Sequence, residues 1–193
     1  MLDSPRVAPP TRSSWLLAAA AALSLAACGG AGRTAPAAHA PSGPHPAFVR
    51  VLAAADIDGV PATRHLVAGE PTVFVVFASW CGHCRRELAI LDELRTSQPR
   101  VHVIGVNAYE EWEQASDDKQ LRAYLAASAP WLPVVRSDDA LLHELGGVPK
   151  IPSVYVFDGR GRLTHRFARH ERAAPSLAEL RQALGQGGQH LAQ

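Results

Sequence analysis

The sequence predicts an α/β fold in which a central mixed sheet is flanked by helices. Two apolar runs, Thr72–Phe77 and Val101–Val106, have the composition of buried strands. Between them, Cys84, Leu88 and Leu91 recur with the spacing of one helix face. This strand–helix–strand order implies two parallel strands joined by a crossover. A hairpin further along the chain adds antiparallel strands, which makes the predicted sheet mixed.

The first 27 residues are predicted to be a signal peptide and not part of the fold. Arg6 and Arg12 supply positive charge, and the apolar run Trp15–Ala27 is too short for a permanent transmembrane helix. The run ends in LAAC at residues 25–28, which resembles the lipobox of bacterial lipoproteins. The resemblance implies cleavage before Cys28, whose sulfur then carries a diacylglyceryl group. The alternative is an ordinary secretory signal peptide with an incidental cysteine.

The expected location is the cell envelope, on the periplasmic side, with Cys28 as the lipid anchor. Gly29 stands where an aspartate would favour retention in the inner membrane, so it favours the outer membrane. Residues 28–46 are rich in Gly, Ala and Pro and are predicted to form a flexible tether. Its histidines, His39 and His45, are interpreted as solvated linker residues and not as metal ligands.

A single folded domain is predicted over residues 47–185, followed by a disordered tail at 186–193. Phe48–Leu52 is expected to be a strand, Asp58–Gly59 a turn and Gly82–Ser97 a helix. The further predicted elements, in order, are a helix within Tyr109–Ala127, a strand at Pro133–Val135, a helix from Asp138 to Leu145 closed by Gly146 and Gly147, hairpin strands at Val154–Phe157 and Leu163–Phe167, and a last helix from Ser176 to Leu184 opened by a capping box with Glu179.

Composition excludes some classes of function. The formal net charge of +1 shows no basic surplus, so nucleic acid is not an expected partner. The chain has three cysteines, an odd number for an exported protein. If Cys28 is lipidated, Cys81 and Cys84 are the two free thiols of the mature protein.

The motif CGHC at residues 81–84 places these two thiols where a strand passes into a helix. Free N–H groups and the helix dipole stabilise an anion there, and the thiolate is the reactive form of cysteine. A purely structural disulfide is disfavoured because so short a loop constrains little chain. A structural zinc site lacks a second ligand pair, and haem attachment would need a histidine where Arg85 stands.

Residues 80–84, WCGHC after a buried strand, resemble the active site of the thioredoxin superfamily. Ile151-Pro152, before a later strand, resembles the cis-proline loop that faces the dithiol in that family. The helical segment Tyr109–Ala127, the lipid anchor and residues 84–87 resemble the TlpA-like branch, which contains membrane-tethered extracytoplasmic thioredoxins. The resemblance covers about residues 47–184 and implies a thioredoxin fold with a TlpA-like helical insertion.

The resemblance implies a role for each matching residue. Cys81 matches the exposed nucleophile and Cys84 the buried resolving cysteine. Pro152 matches the cis-proline, and Ile151 would offer backbone groups to an extended substrate. Glu87 matches an acidic residue that manages protons near the dithiol, although an exposed helix glutamate paired with an arginine is an equal alternative.

Two neighbours of the cysteines are expected to tune the site. Trp80 matches the flanking aromatic residue of the family. His83, when protonated, favours the thiolate and so makes the pair more oxidising, which predicts a potential above that of thioredoxin. The chain also departs from the family pattern, with Val75 in place of a buried aspartate, Ala89 in place of a helix proline, and residues 168–170 where a glycine is common.

The expected function is that of an envelope thiol-disulfide oxidoreductase that needs no cofactor or metal. Its expected partners are disulfide-containing or dithiol envelope proteins and a membrane electron donor, and the protein is expected to be a monomer. The TlpA resemblance implies reduction, whereas Gly82-His83, as in protein disulfide isomerases, favours oxidation or isomerisation. The alternatives are a redox-inert adaptor and a copper metallochaperone. The latter would combine the thiolates with a distant histidine, for which the candidates are His102, His143, His165 and His170.

Overall fold

The computed structural model describes residues 43–110, 118–168 and 175–189. In these ranges a five-stranded sheet has the order β3-β2-β1-β4-β5. The strands are β1 (Thr72–Phe77), β2 (His102–Asn107), β3 (Val134–Arg136), β4 (Ser153–Phe157) and β5 (Leu163–Phe167). The helices are α1 (Pro46–Ala53), α2 (Gly82–Ser97), α3 (Asp118–Ser128), α4 (Asp139–Glu144) and α5 (Leu177–Gln189).

Strand β1 lies at the centre of the sheet. It pairs in parallel with β2, where Thr72 lies opposite His102, and antiparallel with β4, where Thr72 lies opposite Phe157. Every residue of β1 is buried because helices cover both faces of the sheet. The predicted mixed sheet flanked by helices is therefore confirmed.

Alternate residues of β1 pack into two separate layers, as the period of two along a strand requires. Val75 and Phe77 pack in one apolar cluster with the buried face of α2, which includes Cys84 and Leu88. Phe74 packs in the other cluster, which contains the buried residues of α1 and α4. The helix that carries the dithiol is thus fixed against the central strand, and the helical spacing read from the sequence is confirmed.

The predicted strand at Phe48–Leu52 is wrong, because this segment belongs to helix α1. Pro46 occupies the first turn, where a missing N–H costs nothing, and His45 Nδ1 accepts a hydrogen bond from Ala47 N at 3.3 Å. Ala47 and Val51, one helical turn apart, are both fully buried. The folded part therefore begins before residue 47, and His45 is a helix cap, contrary to its interpretation as a solvated linker residue.

The last helix begins as predicted and ends later. Ser176 N donates to Glu179 Oε2 at 2.8 Å, and Glu179 N donates to Ser176 Oγ at 3.3 Å, which completes a capping box. Helix α5 then continues to Gln189, past its predicted end at Leu184. Residues 186–189 are consequently helical and do not form part of the predicted tail.

The remaining predicted elements in the described ranges are confirmed. Asp138 Oδ1 caps α4 by accepting from Leu141 N at 2.6 Å, and Gly146 and Gly147 follow that helix with positive φ. Strands β4 and β5 form the antiparallel hairpin. None of the helices in these ranges has the length and apolar composition needed to cross a bilayer.

Several predicted features lie outside the described residues. They are the signal peptide, Cys28, Gly29, His39, positions 111–117 of the helical insertion, Arg169, His170 and the end of the tail.

Candidate active site

The dithiol lies at the junction between β1 and α2. Cys81 is the N-cap residue of α2 and forms a disulfide with Cys84, with 5.3 Å between their Cα atoms. The backbone N–H of Cys84 donates to Cys81 Sγ at 3.2 Å. Cys84 is fully buried, whereas Cys81 is 6 % exposed. Cys81 is therefore the cysteine that reaches the surface, although less of it is exposed than the resemblance implies.

The loop before β4 faces this disulfide. The Ile151–Pro152 peptide bond is cis, and Ile151 O lies 4.0 Å from Cys81 Sγ. The sheet explains the approach, because β4 is antiparallel to β1 and Ser153, its first residue, lies opposite Val76, near the end of β1. The structure thus brings together Cys81, Cys84 and Pro152, as the resemblance implies.

A groove of about 610 Å³ opens over Cys81. One wall, the dithiol wall, consists of residues 80–83, and the opposite wall, the cis-proline wall, consists of residues 148–151. Tyr109 lines the groove between them. An open groove lined by a reactive sulfur and by the backbone of a loop has the shape to hold a segment of extended chain.

Tyr109 is bonded to both walls, a feature that the sequence did not indicate. Its carbonyl oxygen accepts a hydrogen bond from Trp80 Nε1 at 2.8 Å, and its hydroxyl donates to Val148 O at 2.5 Å. Its φ of 61° lies in the left-handed region, which residues other than glycine rarely adopt. Burial, with a smaller contribution from Asp139, raises the pKa of Tyr109, so its hydroxyl remains a donor at neutral pH.

A buried carboxylate behind the dithiol was also missed. Glu110 is 3 % exposed and accepts hydrogen bonds from Ser79 N at 2.8 Å, from Ser79 Oγ at 2.7 Å and from Asn107 Nδ2 at 2.5 Å. The oxygen of the Asn107 side chain accepts from Arg136. Because Ser79 lies just before the CGHC motif, Glu110 fixes the chain that leads into the motif.

Glu87 is fully buried on the face of α2 that also carries Cys84 and Leu88. The alternative in which Glu87 is an exposed surface residue is therefore wrong. The carboxyl group of Glu87 thus lies one helical turn after Cys84, on the side of α2 that packs in the core.

His83 is exposed, and Arg86 Nη2 lies 2.5 Å from its Nδ1. A guanidinium group can only donate, so His83 Nδ1 is the acceptor in this contact. The tuning of the dithiol by His83 stays a prediction.

The histidines proposed as copper ligands have other neighbours. His102 Nε2 lies 2.8 Å from Glu70 Oε2. His102 is the first residue of β2, whereas the strand approaches the active site at its last residue, Asn107. His165 stacks against Phe167 in β5. Across the described ranges, no three His, Cys, Asp or Glu side chains form a group that could hold a metal ion.

These features define a class of protein. The chain has a thioredoxin fold, a Cys-x-x-Cys disulfide at the start of the helix after the central strand, and a cis-proline loop opposite the disulfide. Solved structures that share this fold include the following two. The N-terminal domain of PilB from N. meningitidis has a TM-score of 0.57 and 21 % identity, with 73 % of this chain and 94 % of that chain covered. A secreted disulfide oxidoreductase from Mycobacterium tuberculosis, described as homologous to E. coli DsbE, has a TM-score of 0.54 and 18 % identity, with 69 % and 93 % covered.

Curated sequences give a more specific comparison. The thiol:disulfide interchange protein DsbE of Xylella fastidiosa strain 9a5c is 33 % identical to this chain over 95 residues. The matched region is 49 % of this chain and 45 % of the relative. The protein of the same name from strain Temecula1 matches over the same shares. The chain thus spans less than half the length of these relatives, and no family model matches it.

Proposed function

We propose that this protein is a thiol-disulfide oxidoreductase of the cell envelope that reduces disulfides in protein substrates. The observation that carries the proposal is the position of Cys81, which caps α2, receives the N–H of Cys84 and faces the cis-proline loop. That N–H and the helix dipole stabilise the thiolate needed for exchange. The partial match to proteins named DsbE supports the same chemistry.

The exchange takes place in two steps. The Cys81 thiolate attacks one sulfur of a substrate disulfide, which forms a mixed disulfide and releases the other substrate sulfur as a thiolate. The Cys84 thiolate then attacks Cys81 Sγ, which closes the Cys81–Cys84 disulfide and releases the second substrate thiolate. Two electrons pass to the substrate, and a membrane dithiol donor restores the reduced protein.

The substrate would be an extended segment of an envelope protein that contains a disulfide. In the groove, the Ile151 carbonyl lies close to Cys81 Sγ, so backbone pairing with the segment would bring its disulfide to the nucleophile. Pro152 shapes this wall. Trp80, with its indole bonded to Tyr109 O, forms part of the other wall.

The location and the TlpA-like assignment are parts of the same proposal. The lipobox supports anchoring by lipid on Cys28, and Gly29 favours the outer membrane. The Gly/Ala/Pro-rich tether would hold a monomeric domain away from the bilayer. Apocytochromes or metal-centre assembly factors are the substrates that this branch implies.

The proposal is tested by the reaction of the reduced protein with insulin. We expect catalytic reduction of insulin disulfides, and we expect Cys81→Ser to abolish it. Equilibration with glutathione buffers then gives the potential, which is expected to lie above the value of about −270 mV for thioredoxin. A value at or below that of thioredoxin would remove the role given to His83. Stoichiometric, tight Cu(I) binding without insulin reduction would overturn the proposal in favour of a metallochaperone.

We further propose that Glu87 manages a proton for the dithiol. Glu87→Gln keeps the shape of the buried side chain and removes its ability to ionise, so the pH dependence of Cys81 and Cys84 titration is expected to shift. Thiolate absorbance measured against pH reports the change. Glu93→Gln, an exposed change on the same helix, is the control. Superimposable titration curves for Glu87→Gln and wild type would rule out the relay.

A further inference from the structure

One residue, Tyr109, is hydrogen-bonded to both walls of the groove, through its backbone carbonyl to Trp80 and through its hydroxyl to Val148. We propose that Tyr109 is a positioning residue that fixes the separation of the two walls and thereby sets the affinity for extended protein substrates. The inference rests on the proposed function, because it concerns how the same groove holds its substrate.

The contacts of Tyr109 join segments that are far apart in the sequence. Its backbone carbonyl accepts from the Trp80 indole on the dithiol wall. Its hydroxyl donates to Val148 O on the cis-proline wall. The walls also approach each other at Cys81 and Ile151, where Sγ and the carbonyl oxygen are 4.0 Å apart. Tyr109 therefore acts as a brace of fixed length beside the reacting sulfur.

The backbone around Tyr109 is held in place for this role. A tyrosine at φ 61° is uncommon, and such a conformation persists when the surrounding contacts determine it. The next residue, Glu110, provides such contacts through its two hydrogen bonds to Ser79. The backbone of Tyr109 is therefore held in position by its neighbour, and its phenol ring reaches across the groove to Val148 O.

Wall separation affects protein substrates and small disulfides differently. An extended segment must pair with the backbone near Ile151 and present its disulfide to Cys81 at the same time, so a shifted wall weakens binding. A small disulfide such as oxidised glutathione needs access to Cys81 alone. Loss of the brace should therefore affect the first class of substrate and spare the second.

The test compares Tyr109→Phe with wild type. This change removes the bond to Val148 and keeps the ring in the groove. For insulin, we expect KM to rise about fivefold, which is the factor that one ordinary hydrogen bond is worth, while kcat stays within about twofold. The rate constant of the reduced protein with oxidised glutathione should not change. Tyr124→Phe is the matched control, because the Tyr124 hydroxyl makes no hydrogen bond to the described residues.

Amide hydrogen exchange gives a second readout that does not depend on activity. In Tyr109→Phe, the amides of Lys150 and Ile151 should exchange faster than in wild type and in Tyr124→Phe. Insulin kinetics equal to wild type, or an equal loss with insulin and glutathione, would overturn the inference alone. A wild-type protein inactive toward both substrates would overturn the proposed function and, with it, the inference.

Discussion

Cys84→Ser is expected to accumulate mixed disulfides with substrate proteins on Cys81. The structure gives the reason, since Cys84 is fully buried behind Cys81 and is the thiol bonded to it. Without Cys84, the second exchange step has no internal nucleophile, so the intermediate lasts until an external thiol resolves it. Turnover of insulin should fall by roughly 10³-fold or more, because both cysteines act as one catalytic unit.

The measurement is trapping in the native host, followed by separation under non-reducing conditions and identification of the proteins bound to Cys81. Cys81→Ser is the matched control, since it keeps one thiol in the motif but leaves only the buried one. The double change Cys81→Ser with Cys84→Ser gives the background. If Cys81→Ser trapped as many proteins as Cys84→Ser, the assignment of Cys81 as nucleophile would be wrong.

The sequence predicted the elements nearest the dithiol better than it predicted the start of the domain. Strand β1 and helix α2 have the predicted bounds, because every residue of β1 is buried and the apolar residues of α2 recur with the spacing of one helix face. The run Phe48–Leu52 is too short for periodicity to separate strand from helix. The segment is a helix because Pro46 and the cap from His45 start it, and because Ala47 and Val51 are buried on one face. That burial could not be predicted from the five residues of the run alone.

The same distinction holds within the active site. Cys81, Cys84 and Pro152 belong to local motifs, so the sequence alone identified them. Tyr109 and Glu110 act through contacts with residues about thirty positions away, and these contacts exist because β1 and β2 run in parallel and end side by side. The available signal was a polar segment that begins at Asn107, directly after a buried strand. The sequence could not show which partners that segment would meet.

Glu110→Ala is expected to destabilise the protein by about 3 kcal/mol. The change removes the carboxylate acceptor for Ser79 N and Ser79 Oγ, which are partly buried, and for the Asn107 amide, which is buried. Each buried donor left without a partner costs about 1–3 kcal/mol, and partial relaxation or entry of water reduces the sum. Glu110→Gln keeps one acceptor oxygen of similar shape and should lose about half as much.

Glu179→Ala is a close control for this effect. Its carboxylate also accepts from the N–H and the hydroxyl of one serine, Ser176, but these bonds are exposed at the start of α5. Water can replace them, so the loss should be at most about 1 kcal/mol. Urea unfolding of the oxidised proteins measures both changes. If the two losses were equal, Glu110 would have no special structural role. A much larger loss for Glu110→Ala would show that burial gives the Glu110 hydrogen bonds their strength. Insulin turnover in Glu110→Gln would then show how far the position of the chain before Cys81 depends on these bonds.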